Sequence, residues 1–555
     1  MRTPALGLTA AFALTAPFAA QAKPPADLVI WGGPIYTAVD AKPKVDAVAV
    51  SHGRIAFAGA KAGARALVGP KTRVIDLKGA ALFPGFTDSH AHLDGIGERE
   101  LTLNLEGSRS AAEVTARLKA YLAANKPAGL VDGRGWIETG WPEGRFLQRS
   151  DIDAVAPDQP VLLHRADGHA LTANTAALKA AGIDETTPAP AGGQILKGPD
   201  GKLTGMLVDN AMGLVTKLRH PPNEAERLAA FKAAFRVETA YGWTGVHSMS
   251  VAWADVPLLE AMAKRGEATL RVYNMVDFGQ AGPLFASGPR ATPDGRITTR
   301  GIKMYMDGAL GSRGAALFEA YSDAPGLTGT LVTPPETMRP VLAQALAKGI
   351  QVSTHAIGDR GNATALDLYE AVFKANPAAG KAARWRIEHA QILRPVDIPR
   401  FKADRVIASM QPSHAIGDLH FAPARLGKDR LKGAYAWKSL LDTGAVVVGG
   451  SDAPVERGAP LIEFYAAVAR KDLNGFSNPD WHPEEKLSRA EALKLFTASA
   501  AYARFAENDL GTISVGKRAD FSGFSVDLMA APEAAIPKGH AVLTVVDGQV
   551  VYDTL

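Results

Sequence analysis

The chain has 555 residues, of which 47% are hydrophobic and 21% are charged, as is typical of a soluble globular protein with a sizeable core. Its 61 basic and 57 acidic residues leave a net charge of +4, without long runs of one sign or a basic stripe interleaved with aromatic residues, which argues against a nucleic-acid-binding protein. The sequence contains no cysteine, which excludes disulfide bonds, thiolate metal ligands and a cysteine nucleophile.

The first 22 residues have the pattern of a secretory signal peptide. Arg2 is followed by the apolar stretch ALGLTAAFALTAPFAA and by the small-residue cleavage site AQA at 20–22. The apolar stretch is short for a membrane span and is interrupted by Pro17, so an uncleaved membrane anchor is the weaker alternative. We predict that residues 1–22 are removed, that no stable membrane span remains, and that the protein is periplasmic or secreted.

The two ends of the chain share a pattern of short strands separated by glycine turns. The pattern occurs in residues 23–82, as in AVAVSHGRIAFAG, and returns in residues 503–555, as in AVLTVVDGQVVYDTL. Because such strands need a partner surface for their apolar face, we predict that the two ends join into one small β-sandwich beside the core. Two independent β extensions are the alternative.

Residues 83–502 alternate strand-like apolar runs with helical stretches such as PETMRPVLAQALAKG and ATALDLYEAVFKAN. Eight runs have the strand pattern, which is the number that closes a TIM-type (β/α)8 barrel. The runs are 81–90, 244–249, 271–278, 301–307, 351–357, 385–391, 406–414 and 445–452. Residues from about 105 to 240 do not fit a strand–helix unit. The sequence therefore predicts an α/β barrel with a long insertion after its first strand.

Four histidines lie at or near the ends of predicted barrel strands. His90 and His92, in PGFTDSHAH, are separated by one residue, so on a strand both side chains point to the same face. His355 and His389 end two later runs. Packing or a surface cap explains most single histidines of this kind, but four at one mouth of a barrel, where such folds hold their active sites, favour a site for Zn²⁺ or a similar cation.

Lys303 is unusual because the period of a strand places it with Tyr305 and Asp307 on one face of GIKMYMDG. A lysine inside a barrel is costly unless its charge is neutralised or used. Next to two divalent cations its pKa would fall until the free amine adds CO₂, and the carbamate formed can bridge two metals. The alternative is a lysine that reaches solvent at the barrel mouth or pairs with Asp307.

Asp452 follows an apolar run and the turn Gly449–Gly450. Two cations about 3.5–4 Å apart can hold a hydroxide at neutral pH and polarise a scissile carbonyl. A carboxylate beside them can bind one metal, accept the proton and pass it to the leaving group, so we predict Asp452 as the catalytic residue. An N-cap before Ala453 and Pro454 is the alternative role, and the two are compatible.

Other polar residues are candidates for contact with a substrate. Arg165 and His169 lie in the predicted insertion, and Gln411 and His414 lie at the end of the seventh run. Two tryptophans of the insertion, Trp136 and Trp141, are candidate walls of the same pocket. Structural packing explains each of these residues about as well as function does.

The chain resembles the amidohydrolase superfamily and, more narrowly, amidohydrolase family 3, the branch that includes N-substituted formamide deformylases. The resemblance rests on FPGFTDSHAHLDG, GRGWIETGWPEGRF, PVLLHRADGHALTANTAAL, IKMYMDGALGSRGA, VSTHAIGD, RIEHAQ, SMQPSHA and GGSDAPVE, which sample nearly all of the chain after residue 22. It implies one or two divalent metals, Zn²⁺ or alternatively Mn, Fe or Co, and a carbamate on Lys303. The implied ligands are His90, His92, Lys303, His355, His389 and Asp452.

These patterns predict an exported metal-dependent hydrolase of a small-molecule amide, N-acyl or formamide-like substrate. The same metal chemistry would also serve a lactone, carbamate or phosphoester hydrolase, which is the second hypothesis. A non-catalytic solute-binding barrel is the third, and we expect such a protein to lose Asp452 or Lys303, both of which are present. Barrels of this size often form homo-oligomers, and no segment of the sequence identifies an interface.

Overall fold

The computed structural model describes residues 24–555, and the predicted signal peptide at 1–22 lies outside them. Three sheets organise the described residues: a parallel barrel, a sheet built from both chain ends, and a sheet within the insertion. Within residues 24–555 no helix combines the length and the hydrophobicity needed to cross a membrane.

Eight parallel strands form the barrel and follow one another in chain order. They are Phe86–Ala91, Trp243–Val251, Arg271–Asp277, Ile297–Tyr305, Gln351–Ala356, Arg386–His389, Ile407–Met410 and Val447–Gly449. The first and last strands approach each other at their C-terminal ends, where the Asp452 N–H donates to the His90 carbonyl at 2.6 Å and the His92 N–H donates to the Ala453 carbonyl at 2.7 Å. The barrel is therefore nearly closed, and the predicted fold class is confirmed.

Helices cover the outside of the barrel and connect its strands. They are Leu93–Leu101, Glu224–Tyr241, Asp255–Lys264, Gly282–Ser287, Pro335–Ala347, Asp359–Ala375, Pro377–Ala383, Ile398–Ala403, Pro412–Asp418, Ala422–Leu426, Trp437–Asp442, Pro460–Ala469, Arg489–Phe496 and Ala498–Ala503. Their ends follow local capping rules: Asn223 accepts the Glu226 N–H while the Glu226 carboxylate accepts the Asn223 N–H, which starts the helix Glu224–Tyr241. Leu366 and Tyr369 on the helix Asp359–Ala375 are buried in the main core against the strands.

The two chain ends join into one mixed sheet of eight strands. Its strands are Leu28–Tyr36, Lys44–Ser51, Arg54–Gly59, Arg73–Asp76, Ala81–Pro84, Phe521–Phe524, Ala541–Val546 and Gln549–Asp553. The strand Phe521–Phe524 pairs antiparallel with Ala81–Pro84, so the C-terminal strands continue the N-terminal ones. The sheet returns toward itself, because the Ile55 N–H donates to the Lys517 carbonyl at 2.9 Å, and it encloses its own apolar core. The short helix Lys61–Arg65 lies within its N-terminal part.

The insertion between the first two barrel strands contains a sheet of six strands. They are Leu103–Asn104, Val131–Trp136, Val161–Arg165, Ala170–Ala173, Gly193–Lys197 and Leu203–Asp209, with the helices Ala111–Asn125, Arg149–Asp153, Thr175–Ala181 and Gly213–Thr216 among them. Two apolar clusters pack within this region, apart from the main core. The following helix Glu224–Tyr241 packs instead in the main core through Phe231 and Phe235, as the barrel helices do.

Candidate metal centre

The C-terminal ends of the barrel strands open on a cavity of about 1040 Å³. Of the ten residues predicted for the site, eight line this cavity: His92, Arg165, His169, Lys303, His355, His389, His414 and Asp452. His90 and Gln411 lie behind the lining side chains and bond to other groups of the site. The structure therefore brings all of the predicted residues to one mouth of the barrel.

Asp452 is shared by two groups of potential metal ligands. The first group consists of Asp452 with His90 and His92, and the second consists of Asp452 with His389 and His414. Within each group, one ligand atom of every residue lies within 4.8 Å of the ligand atoms of the other two. Its Oδ1 lies 3.3 Å from the His90 Nε2 and 3.2 Å from the His92 Nε2. Its Oδ2 lies 3.6 Å from the His414 Nε2. His414 was predicted as a substrate contact, and the geometry also qualifies it as a metal ligand.

Hydrogen bonds behind the rings fix which nitrogen of each histidine faces the centre. The Nδ1 of His90 lies 2.6 Å from the Glu388 Oε2, and the Nδ1 of His389 lies 2.8 Å from the Gln411 Oε1. Because carboxylate and amide oxygens only accept, each Nδ1 carries the proton and each Nε2 keeps its lone pair. In His355 the Nε2 lies 3.4 Å from the Gly308 carbonyl, which leaves the Nδ1 lone pair free. Ligand histidines in metal sites are oriented in this way.

The donor set fits a divalent cation of the zinc type. The Asp452 Oδ1 and the His414 Nε2 are buried and have no hydrogen-bond partner among the described residues. A buried carboxylate oxygen without a hydrogen-bond donor in good geometry is costly. A cation bound between them would remove this cost, and the nitrogen and carboxylate donors are those that Zn²⁺ prefers.

Lys303 lies inside the barrel and is only 1% exposed. Its Nζ lies 3.3 Å from the His90 Nε2, and no carboxylate of the described residues lies within 4.0 Å of it. Lys303 therefore neither reaches solvent nor pairs with Asp307, the two alternatives to a ligand role. The Asp307 carboxylate accepts the backbone N–H groups of Ala316, Ile357 and Gly358. Burial lowers the pKa of Lys303 to about 8, which makes the free amine accessible near neutral pH.

The protonation states around the centre suit metal binding. Burial lowers the pKa of His355 and of His389 well below the usual value, which keeps both imidazoles neutral. Burial raises the pKa of Asp452, but the adjacent His90 and His92 outweigh it and lower that pKa well below the usual range. Neutral imidazoles and an ionised carboxylate are the forms that coordinate metals.

Two of the candidate ligands have a backbone conformation that side chains rarely adopt. The φ angle is +73° at His389 and +60° at Asp452, both in the left-handed region. Such strain is maintained only where the surrounding structure requires it, and it clusters at functional sites. It also turns His389 out of the alternation of its strand, so that its ring reaches the mouth of the barrel.

The remaining predicted residues occupy the cavity wall in different ways. Arg165 is 1% exposed and is paired with Glu138, at 2.8 Å, and with Asp167, so its charge is already neutralised within the protein. His169 bonds through Nδ1 to Asp209 at 2.7 Å, and its ring lies 5.1 Å from that of His355. The ring of His414 stacks on that of His389 at 5.8 Å.

The prediction that Trp136 and Trp141 form pocket walls is wrong. Both are buried in the apolar core of the insertion, where their indole N–H groups donate to the carbonyls of Leu163 and Ser108 at 2.8 Å. Neither lines the cavity. Their size and the apolar residues around them are typical of core positions. The sequence alone explained a core role and a pocket role equally well.

Sequence reasoning also missed the charged pair behind His90. Glu388 and Arg386 are both fully buried, and the Arg386 Nε lies 2.7 Å from the Glu388 Oε1. The signal was present in RIEHAQ: two opposite charges two residues apart on a buried strand point to the same face, where burial requires them to pair.

Comparisons with known proteins agree with this geometry. The model of the amidohydrolase family, in its family 3 branch, matches residues 73–552. The Bacillus subtilis protein YtcJ is 35% identical over 537 residues, covering 94% of this chain and 99% of its own. The N-substituted formamide deformylase of Arthrobacter pascens is 26% identical over 547 residues, covering 95% and 98% of the two chains. An uncharacterized metal-dependent hydrolase from Pyrococcus horikoshii superposes with a TM-score of 0.74 at 27% identity, covering 91% of this chain and 99% of its own.

Proposed function

The chain belongs to amidohydrolase family 3, and from this premise we propose that it is an exported metal-dependent enzyme that hydrolyses non-peptide C–N bonds. The observation that carries the proposal is Asp452, whose carboxylate is shared by two histidine pairs at the mouth of the cavity. The proposed substrates are small molecules with an amide, N-acyl or formamide-like bond. The relative from Arthrobacter pascens, which is named for its action on N-substituted formamides, supports this bond type.

The proposed ligands of one or two metal ions are four histidines, one lysine and one carboxylate. They are His90, His92, Lys303, His355, His389 and Asp452, with Lys303 carrying a carbamate formed from CO₂. A bound divalent cation, Zn²⁺ or alternatively Mn, Fe or Co, would supply Lewis acidity to a carbonyl oxygen and acidify a water molecule. The burial of Lys303, which lowers the pKa of its amine to about 8, supports the carbamate, since the neutral amine is the form that adds CO₂.

The protein side chains would move the protons of the reaction. The Asp452 carboxylate would accept a proton from the attacking water and deliver it to the leaving nitrogen. The His414 Nε2 lies 3.6 Å from the Asp452 Oδ2, on the cavity side of the carboxylate. Gln411 and Glu388 keep the rings of His389 and His90 in place through their Nδ1 protons.

A panel of substrates tests the bond type. The purified protein is assayed on N-substituted formamides, N-acyl amides, lactones, carbamates and a phosphotriester, before and after chelation and after return of Zn²⁺. We expect turnover of the amides or formamides that chelation abolishes and Zn²⁺ restores. Turnover restricted to lactones, carbamates or the phosphotriester would replace the proposal by the second hypothesis, and metal-independent ligand binding without turnover would replace it by a solute-binding barrel.

The proposed export is tested separately. We expect the protein expressed with its first 22 residues in a Gram-negative host to be recovered from the periplasm with Lys23 as its first residue, as measured by the mass of the intact chain. A chain that retains residues 1–22 in the membrane fraction would support the uncleaved anchor, and a full-length chain in the cytoplasm would remove the proposal of export.

A further inference from the structure

Part of the cavity wall carries three carboxylates, Asp418, Glu456 and Glu463, which we term the acidic wall. Asp418 ends the helix Pro412–Asp418, and Glu463 lies in the helix Pro460–Ala469 that packs against it. Glu456 lies in the loop before the second helix. The acidic wall is therefore built from the segments that follow the seventh and eighth barrel strands, at the mouth where a barrel binds its substrate.

No cation of the protein neutralises the acidic wall. Among residues 24–555, no lysine or arginine nitrogen lies within 4.0 Å of these carboxylates. One imidazole does lie within this distance: the His414 Nε2 is 3.8 Å from the Glu456 Oε1. Two other carboxylates of the cavity are paired with arginine, Glu106 with Arg457 at 2.9 Å and Asp167 with Arg165, whereas Asp94 and Glu98 also line the cavity without an ion pair among the described residues. The wall thus groups three carboxyl groups that no lysine or arginine of the described residues opposes at close range.

One carboxylate oxygen of the wall is buried without any partner. Glu463 is 1% exposed, and its Oε2 accepts the Ser413 N–H at 3.0 Å, but its Oε1 accepts no hydrogen bond. Asp418, in contrast, accepts from the Gln391 Nε2 at 2.6 Å and from the Tyr435 hydroxyl. A buried acceptor that faces a cavity and has no donor in the protein indicates a ligand that brings one.

The neighbouring surface of the cavity suits an organic cation better than a metal ion. Ile416, Phe421 and Ile462 line the cavity beside the carboxylates and offer apolar contact to a hydrocarbon or aromatic body. The described residues contain two histidine and carboxylate groups with ligand atoms close enough to hold a metal, and neither includes a residue of the acidic wall. Burial raises the pKa of Glu463 to about 8 and that of Asp418 to about 7, and a cation bound beside these carboxyl groups would favour their ionised form.

We propose that the acidic wall binds a protonated nitrogen group, such as an ammonium, amidinium or guanidinium, and that the substrates are amides bearing such a group. The assignment to a substrate rests on the proposed function, whereas the preference for an organic cation does not. Recognition would come from charge-assisted hydrogen bonds to the Glu463 Oε1 and the Glu456 carboxylate, with the body of the ligand against the apolar part of the wall.

Binding of three probes of the same shape tests the charge preference without turnover. Benzamidine, benzamide and benzoate are titrated into the purified protein by calorimetry, and we expect benzamidine to bind at least about tenfold more tightly than the other two. Glu463→Gln keeps an acceptor for the Ser413 N–H, and Glu456→Gln alters a side chain that is partly exposed, so both variants should fold, as circular dichroism verifies. We expect each variant to lose most of the preference for benzamidine.

Glu485→Gln is the matched control. Glu485 is also buried and also accepts backbone N–H groups, from Lys438 and Ser439, but it does not line the cavity. This variant should keep the preference for benzamidine. Equal binding of the three probes to the unmodified protein, or a preference that survives in the doubly substituted Glu456→Gln/Glu463→Gln chain, would overturn the proposal. The proposal would also be overturned if the unmodified chain and the Glu485→Gln control held a metal ion that the double variant had lost, since the acidic wall would then bind a metal.

A pair of substrates then separates this proposal from the proposed function. N-formylbenzylamine and its 4-aminomethyl derivative differ only by an aminomethyl group, whose nitrogen is basic, and we expect the derivative to have the higher kcat/KM by at least about tenfold, with the difference lost in Glu463→Gln. Absence of turnover on both substrates, together with intact preference for benzamidine, would remove the amide hydrolase and keep the cation site. Turnover of both substrates at equal kcat/KM would support the amide hydrolase and remove the proposal that its substrates carry a cationic group.

Discussion

At the scale of single residues, Asp452 joins the elements of the candidate centre. It follows the last barrel strand, its Oδ1 faces the two histidines at the C-terminal end of the first strand, and its Oδ2 faces His414 after the seventh. Its left-handed φ of +60° directs the carboxylate into the mouth. A carboxylate in this position can serve both as a ligand and as a carrier of protons.

Replacing the Asp452 carboxylate tests its role in proton transfer. Asp452→Asn keeps the size of the side chain but cannot accept the proton, so we expect kcat on an amide substrate to fall by roughly 10²–10⁴-fold while the fold is retained. The measurement is steady-state kinetics with the metal content determined in parallel. Asp442→Asn, at a side chain that is 62% exposed, is the control and should leave kcat unchanged. Normal turnover by Asp452→Asn would refute the assigned role.

Removing the Lys303 amine tests the proposed carbamate. Lys303→Ala deletes the anionic bridge that CO₂ would form, so we expect the metal content to fall and activity to be lost, with partial recovery in acetate or propionate. Elemental mass spectrometry measures the metal, and Lys348→Ala at the surface is the control. Unchanged metal content and activity in Lys303→Ala would exclude the carbamate.

The centre was predictable from the sequence where chemistry follows from local spacing. The pair His90 and His92, one residue apart on a strand, indicated a shared face without knowledge of the fold. The partner of each ring was not predictable, because the Gln411 that bonds His389 and the Glu388 that bonds His90 lie on other strands. Gln411 was predicted as a substrate contact, and the structure places its Oε1 on the His389 ring.

At the scale of secondary structure, one buried ion pair ties several barrel strands together. Arg386 on the sixth strand pairs with Glu388, and its Nη2 donates to the Ser89 carbonyl of the first strand at 2.6 Å and to the Ser409 hydroxyl of the seventh at 2.7 Å. Its Nη1 lies 2.8 Å from the Nδ1 of His247 on the second strand. The pair therefore holds the strands whose ends carry His90 and His389.

Breaking this pair should destabilise the barrel. Arg386→Met leaves Glu388 as a buried charge without its cation, and we expect a loss of about 3–5 kcal/mol in unfolding free energy. Thermal unfolding followed by circular dichroism measures the effect. The double variant Arg386→Met/Glu388→Gln removes the uncompensated charge and should recover part of the loss. An unfolding temperature unchanged in the single variant would show that the pair does not stabilise the strands.

The barrel strands were predictable because parallel strands are covered on both faces. Every residue of Phe86–Ala91 and Gln351–Ala356 is buried, as in strands covered on both faces, although both strands contain polar residues such as His90 and His355. The insertion was recognised only as a region that breaks the strand–helix alternation. Its strands are short and glycine-containing, as in Val131–Trp136, and their pairing into six depends on contacts between segments far apart in sequence.

At the scale of the whole molecule, the sheet formed by the chain ends is tied to the barrel by a buried charged cluster. Arg271, at the start of the third barrel strand, is 1% exposed and contacts Asp520 at 2.6 Å and Asp547 at 3.0 Å. Asp520 and Asp547 flank the C-terminal strands Phe521–Phe524 and Ala541–Val546. The prediction that both ends join beside the core is confirmed, but this ion cluster could not be read from the sequence because its members are about 250 residues apart.

Loss of the Arg271 guanidinium should loosen the sheet from the barrel. In Arg271→Met the two aspartates stay partly buried without their shared cation, so we expect faster hydrogen exchange in Phe521–Phe524 and Ala541–Val546 than in the barrel strands. Hydrogen exchange followed by mass spectrometry measures this. Arg290→Met removes an exposed pair with Glu260 and should change little. Equal exchange in Arg271→Met and in the unmodified chain would show that the cluster does not hold the sheet.

The metal content per chain tests most directly whether the histidines and Asp452 form the metal centre of an amide hydrolase. Elemental mass spectrometry on the purified protein, together with the amide and lactone panel, gives the stoichiometry and the activity of the same sample. We predict one or two divalent ions per chain, with turnover of amides that follows the metal content. Absence of both metal and turnover after reconstitution with Zn²⁺ and bicarbonate would contradict this assignment.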